Sequence, residues 1–337
     1  MTAGNGTPET GRTMTAALAE AATTAGLAPS VHNTQPWRWR VLPDRLELHV
    51  ETDRRLPATD PDNRLLILSC GTALHHARTA LTAEGWTAHV VRMPDPADPD
   101  LLAVVAGAEP APASAEAMRL VQCMRVRHTD RRPVSDQAVP DGTLLEIAAA
   151  TEAEGIRLHL LDSHQVLDLA AAASRAESAE ADDPQVLAEL AYWTGRTGPA
   201  GAGITTEVLP DRPAETTVPG RDFGRAGTLP IGSGHDHAAR YAVLYGDDDE
   251  PASWLHAGEG LSAGWLAATR LGVSLVPLSG VVEVASTRAA LRQALDHLGY
   301  PYLVLRLGIA DPDHAGPPHT PRIPAAQVID TTGVRER

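Results

Sequence analysis

The chain has 337 residues, 43% of them hydrophobic and 21% charged, which is the profile of a folded globular protein and excludes a disordered or fibrous one. At this length one large domain or two similar modules is expected. A formal net charge of −15 opposes binding to a nucleic-acid backbone, and no basic stripe overrides that sign.

The basic side chains other than His are all Arg, so any anion site must use planar guanidinium groups and not ammonium point charges. Cys70 and Cys123 lie far apart without CxxC spacing, which argues against a disulfide framework or a zinc knuckle and fits a reducing, cytoplasmic setting. The opening MTAGNGTPETGRT has no charged region followed by an apolar run. No later segment offers eighteen uninterrupted apolar residues, so neither export nor a membrane span is expected.

Residues 1–12 read as a flexible tail. Met14 to Ala25 is rich in helix formers and is expected to be closed by Gly26. APSVHNTQPW, residues 28–37, follows as an irregular loop. RWRVLPDRLELHVE then alternates as two short strands about Pro43 and Asp44, and Leu65 to Leu81 is apolar nearly all round, predicting a buried helix.

The sequence then repeats itself. LSCGTALHHARTALTAEGW, from Leu68 to Trp86, overlays LHAGEGLSAGWLAATRLGV, from Leu255 to Val273, without a gap. Leu68, Gly71, Leu74, Ala80, Thr82 and Gly85 match Leu255, Gly258, Leu261, Ala267, Thr269 and Gly272. The first copy leads through WTAHVVRM to DLLAVVAG, and the second through SLVPL to PYLVLRLG. Upstream, Met14 to Gly26 leads to RWRVL, while DGTLLEIAAATEAEG leads to IRLHLL. Chance likeness between Ala-rich helices is the alternative. We therefore divide the chain into halves over 13–113 and 114–330, with a further tail over 331–337. Only the first half inserts APSVHNTQPW between helix and strand. A Gly- and Pro-rich stretch over 194–237 is long enough to act as a lid over a ligand.

In APSVHNTQPW, Pro29 and Pro36 stiffen the chain, Ser30 offers a hydroxyl, and Asn33 and Gln35 offer amides suited to a heteroaromatic ring. From the residues alone, a capped loop whose amides satisfy the backbone is an equally physical reading. Arg127, Thr129 and Arg131 in RHTDRRPVSDQAVP supply two guanidiniums and a hydroxyl, enough for a dianionic phosphate, or else a solvated Arg–Asp surface cluster. His75 and His76, and His235 and His237, form pairs without a convincing third metal ligand. DDPQ and GDDDEP read as solvated acidic turns, and no dinucleotide, Walker or G-x-S-x-G sequence is present.

APSVHNTQPW resembles the signature that follows the first helix in the nitroreductase superfamily, specifically its actinobacterial Acg-type branch. The resemblance implies an α+β (α/β sandwich) nitroreductase-like fold, in which two fused pseudo-repeat halves mimic the superfamily's homodimer. It implies an FMN-dependent oxidoreductase in which NAD(P)H gives hydride to flavin N5, and a nitro-aromatic, quinone or similar small molecule accepts it. Pro29, Ser30, Asn33 and Gln35 would lie at the isoalloxazine, and Arg127, Thr129 and Arg131 at the ribityl phosphate. LGVSLVPLSG is similar to the segment that approaches N5, which implies Gly280 at N5 with Pro277, Leu278 and Ser279 along the same edge. HTPRIP resembles the C-terminal segment that returns Arg322 to the phosphate; Thr320 stands near the usual Lys. The flavin carries the chemistry, so no side chain need be a nucleophile. His32 would shape access and Trp37 would pack. Because each half holds different elements, one FMN per chain is expected and a monomer suffices for it. The alternatives are an FMN-sequestering protein whose lid blocks turnover, and a flavin-free scaffold.

Overall fold

The computed structural model describes residues 13–195, 201–232, 235–312 and 316–334. The tail expected over 1–12, part of that over 331–337, and positions 196–200 and 233–234 of the Gly- and Pro-rich stretch lie outside those residues.

Strand β1, Trp37–Val41, alternates strictly: Trp37, Trp39 and Val41 are completely buried while Arg38 and Arg40 face out. It pairs antiparallel with β2, Arg45–Val50, and β2 with β4, Leu101–Pro110, which also holds β3, Trp86–Arg92. In the second half, β5 (Arg157–Leu160), β6 (Arg240–Gly246), β7 (Ser274–Leu278) and β8 (Tyr300–Gly308) form another antiparallel sheet. The order β3-β4-β2-β1 in one sheet is reproduced as β7-β8-β6-β5 in the other. The first sheet gains one further strand, β9 (Ile329–Asp330), which runs parallel to β1 and carries the C-terminal end of the second half onto the first.

Between the sheets lie two helices of equal length, α2 (Arg64–Ala83) and α7 (Pro251–Arg270). Helix α1 is Met14–Ala25, α3 is Ala115–Val126, α4 is Asp141–Glu152, α5 is Ser163–Ala181 and α6 is Pro184–Trp193. Short helices α8 (Gly280–Glu283), α9 (Ala285–Ala294) and α10 (Ala325–Val328) complete the chain. Helix α1 ends where expected but for another reason. Gly26 keeps φ −59°, an ordinary right-handed value, and the helix stops because the chain enters Ala28–Pro29. After α2 and α7 the stop is glycine in the left-handed region, Gly85 at φ +81° and Gly272 at φ +72°, the matched pair of the internal repeat.

Helices α2 and α7 cross at the repeat's other glycines. A Cβ on Gly71 would strike the Leu255 carbonyl and the Gly258 Cα, and a Cβ on Gly258 would strike the Leu68 carbonyl and the Gly71 Cα. Leu68 matches Leu255 and Gly71 matches Gly258, so the contact is reciprocal, as across the two-fold axis of a dimer. His75 Nδ1 and Ser262 Oγ, themselves matched positions, meet at 2.8 Å, and Ser262 Oγ also reaches His76 Nδ1 at 2.9 Å. Both histidines thus use Nδ1 between the helices, while the buried Nε2 of His76 has no partner among the described residues. Among the described residues no group of three or more His, Cys, Asp or Glu is placed to hold a metal ion, and no helix is long and apolar enough to cross a membrane.

The close crossing gives a mutational test. Gly71→Ala gains about 1 kcal/mol of helix propensity but forces backbone apart, so we expect a net loss of about 1–3 kcal/mol by urea unfolding. Gly142→Ala in α4, with open space around its Cα, should be neutral or stabilising. Equal effects would show that the helices do not approach this closely.

Candidate functional site

A cavity of about 790 Å³ lies between the halves, within the size range of cofactor pockets. Pro29, Ser30, Asn33, Arg127, Thr129, Arg131, Pro277, Leu278, Ser279, Gly280 and Arg322 all line it. The structure therefore brings eleven of the twelve residues singled out in the sequence to one place. Gln35 does not line it. Its amide is spent inside the protein, donating to the Gly201 carbonyl at 2.7 Å and accepting from the Ile323 N–H at 3.0 Å.

The loop after α1 is held in an unusual shape. His32, Asn33 and Gln35 have φ of 46°, 54° and 50°, the left-handed region that costs side-chain-bearing residues energy. Several bonds hold it there: the Gln35 N–H donates to Ser30 Oγ at 2.8 Å, the Val31 N–H to Ser69 Oγ at 3.0 Å, and Thr72 Oγ1 to the Pro29 carbonyl at 2.6 Å. Asn33 lines the cavity, yet its Nδ2 donates to the Gly203 and Pro321 carbonyls at 2.9 and 3.0 Å, and its Oδ1 accepts from Arg322 at 3.3 Å. The capped-loop reading is thus realised in Gln35 and, in part, in Asn33. Ser30 keeps a hydroxyl proton that no described residue accepts.

Arg127 and Arg322 face each other electrostatically at one end of the cavity. Burial, then the neighbouring Arg322, pushes the Arg127 guanidinium down to about 9; burial pushes Arg322 down to about 10. Arg127 stacks on Trp265, 4.4 Å from its ring centre, and no carboxylate of the described residues forms an ion pair with either arginine. The Nε atoms of both are buried without a hydrogen-bond partner. Arg131 is pushed down to about 10 by burial and then by Arg306; it stacks near Phe223, with its Cζ 5.3 Å from the ring centre. Its charged neighbours are Arg306 and, with the opposite sign, Asp130. Buried cations without counter-charge are costly, and a donor set of this kind fits an anionic group.

Sequence reasoning did not find what holds this segment. Arg306, a charged residue in the apolar strand β8, donates to the Asp130 and Arg132 carbonyls at 3.0 and 2.7 Å and pairs with Asp236 at 2.8 Å. Asp236 also accepts from the Val134 N–H at 2.7 Å. The interruption of PYLVLRLG by an inward Arg was the available signal.

The described part of the Gly- and Pro-rich stretch, 201–232, also lines the cavity, with Ile204, Val208 and Leu209 packed against Phe223. Its Arg221 enters the interior, pairing with Glu180 of α5 at 2.7 Å and Glu283 of α8 at 2.5 Å, and its Nη1 donates to His32 Nε2 at 3.0 Å. His32 is neutral in that contact, its pKa held well below the ordinary histidine value by burial, then by Arg221 and Arg131. The space a Cβ would occupy on Gly280 faces Arg221 and Glu180. Helices α5 and α6 were likewise not identified from sequence, although the capping box of Asp162 and Gln165 and Pro184 after the Asp183 cap announce them.

The pseudo-symmetric counterpart positions hold an ion cluster instead. In the repeat's register Thr72, Trp265 and Ser279 correspond to Glu259, Arg78 and Arg92. Glu259 is completely buried and accepts from Arg78 at 2.6 Å and from Arg92 at 2.7 and 3.0 Å.

A protein with this strand order in two fused halves, and one arginine-lined cavity shared between them, has the architecture of a fused flavoprotein-like dimer. Known proteins match about nine-tenths of the chain. The Mycobacterium tuberculosis H37Rv proteins named "Putative NAD(P)H nitroreductase Rv3131" and "Putative NAD(P)H nitroreductase acg" are 39% and 34% identical to it over 317 and 307 residues. These alignments cover 91% and 90% of this chain and 89% and 92% of theirs. The chain belongs to the nitroreductase superfamily, in the branch of these mycobacterial proteins. No family model matches it. Among solved structures, the FMN and NADPH-dependent nitroreductase NfnB from Sphigopyxis sp. strain HMH is 16% identical, with a TM-score of 0.40, covering 64% of this chain and 99% of its own. A Bacteroides fragilis nitroreductase with bound FMN is 14% identical with a TM-score of 0.35, over 58% of this chain and 91% of its own. Similarity at this level is local; the fold assignment rests on the strand order and on the mycobacterial relatives.

The unneutralised arginines predict opposite effects with and without ligand. Arg127→Met should stabilise the ligand-free protein by about 1–3 kcal/mol by removing a buried, unpaired cation. The same change should weaken FMN binding about 10- to 150-fold, the loss of one charge-assisted contact. Thermal unfolding with and without added FMN reads both, and a destabilised ligand-free variant would contradict the assignment.

Proposed function

We propose that the chain is an FMN-dependent oxidoreductase of nitroreductase type, acting on a small-molecule electron acceptor. The observation that carries this reading is the pair of buried guanidiniums, Arg127 and Arg322, without counter-charge at one end of a cavity whose other walls are the Ser30–Asn33 loop and the Pro277–Gly280 segment. A phosphate at Arg127, Arg322 and Thr129 would satisfy them. Arg131, which lines the same cavity, would add a third guanidinium for the phosphate. Ser30 would donate its free hydroxyl proton to the ring, while Asn33 acts chiefly by holding Arg322 and the 201–203 backbone in place. Gly280 leaves room for close approach because it lacks a Cβ. When bound, FMN would supply hydride acceptance at N5 and pass electrons to a nitro-aromatic, quinone or similar acceptor, with the NAD(P)H of the relatives' names as reductant. The protein supplies orientation, exclusion of water and a cationic field.

Arg221 supports a second reading, in which the flavin is held with little turnover. It lies across Gly280, fixed by two carboxylates and His32, where a nicotinamide would have to stack.

Anaerobic mixing of FMN-loaded protein with NADPH or NADH separates the two. Rapid loss of flavin absorbance in the wild type supports turnover. Bleaching seen only in the double variant Arg221→Ala, Glu283→Gln, which removes the cation with one of its carboxylates, supports sequestration. Failure of both proteins to bleach would exclude NAD(P)H as reductant.

A further inference from the structure

Two imidazoles at the Arg127–Arg322 end of the cavity have no part in the account above. His128 directly follows Arg127, and His319 lies three residues before Arg322, so each comes from a segment that delivers a buried guanidinium. Both line the cavity, and their rings meet edge to face with centroids 6.0 Å apart. His128 Nδ1 is tied to the Val126 carbonyl at 3.0 Å, whereas His319 is exposed at the rim.

The charges facing His319 share one sign. From the segment after α3 they are His128 and Arg127, and from its own segment Arg322; behind Arg127, from α2, stands His76. No carboxylate of the described residues is among them. Burial, then His128 and the two arginines, holds His319 below the ordinary histidine value. Placing a dianion between Arg127 and Arg322 offsets that field, because its two negative charges cancel those of the two guanidiniums.

We propose that His319, with His128 beside it, takes up a proton when a phosphate monoester docks against Arg127 and Arg322, so that the chain holds phosphorylated flavin more tightly as pH falls toward 6. The inference rests on the flavin reading of the cavity. The sign follows from linkage: a base whose pKa rises on binding favours the complex below the raised value and loses that advantage as pH climbs past it. The phosphate's own second ionisation, near pH 6, acts in the opposite direction, since guanidiniums favour the dianion. Proton uptake therefore identifies a base on the protein.

Calorimetric titration at about pH 7.5, where a phosphate monoester is already dianionic, in two buffers of different ionisation enthalpy, measures that proton directly. With FMN, the wild type should take up a fraction of a proton, and its Kd should rise about three- to tenfold from pH 6.5 to 8. His319→Gln, a change at an exposed side chain, should abolish the uptake and most of the pH slope, and riboflavin should show neither. Uptake unchanged in His319→Gln, or no uptake in wild type that binds FMN, would overturn the proposal while leaving the flavin site intact. Equal binding of riboflavin and FMN, or binding of neither, would overturn the phosphate site itself.

Discussion

The contact of Gly71 with Gly258 sets the geometry on which everything else depends. Two buried helices approach until backbone meets backbone, and because the matched residues touch reciprocally, the two halves are held as the subunits of a dimer would be. That placement puts the Ser30–Asn33 loop of the first half opposite the Arg127–Arg131 and Pro277–Gly280 segments of the second. The C-terminal chain then crosses back, bringing Arg322 against Asn33 and the carbonyl of Leu27 before β9 joins the first sheet. A cavity made of both halves follows from the crossing of α2 and α7.

Symmetry of scaffold and asymmetry of chemistry coexist because the repeat preserves apolar and glycine positions while exchanging polar ones. On one side Thr72 and Trp265 leave space, and Arg127 stacks on the indole. On the other, Glu259 and Arg78 occupy the equivalent positions, and Arg92 closes them into a buried ion cluster. That side balances its own charge once Glu154, which pairs with Arg78 at 2.8 Å, is included. The open side retains Arg127, Arg131 and Arg322 at pKa values pushed below the ordinary arginine range, a configuration whose cost falls when an anion enters.

Much of this was legible in the sequence, and the reason differs by element. The helices over 14–25 and 65–81 and the strands around Pro43 showed themselves by composition and periodicity, which are local properties. The internal repeat was visible because close packing at Gly71 and Gly258, and left-handed backbone at Gly85 and Gly272, both require glycine. Residues on the cavity wall were legible where a contiguous segment carries them, as in APSVHNTQPW. Gln35 shows the limit of that approach: its amide chemistry was read correctly, but its partners are Gly201 and Ile323, remote in sequence. Arg306 with Asp236, and Arg221 with Glu180 and Glu283, were not legible for the same reason. Each joins elements whose proximity only the fold establishes.

We propose that one anion-binding flavin site is built from both halves, with an ion cluster at the symmetry-related positions. The flavin-to-chain ratio, measured by equilibrium dialysis of purified protein against excess FMN, tests this most directly. One FMN per chain is expected; a ratio of two, or no binding, would contradict a single site shared by the halves.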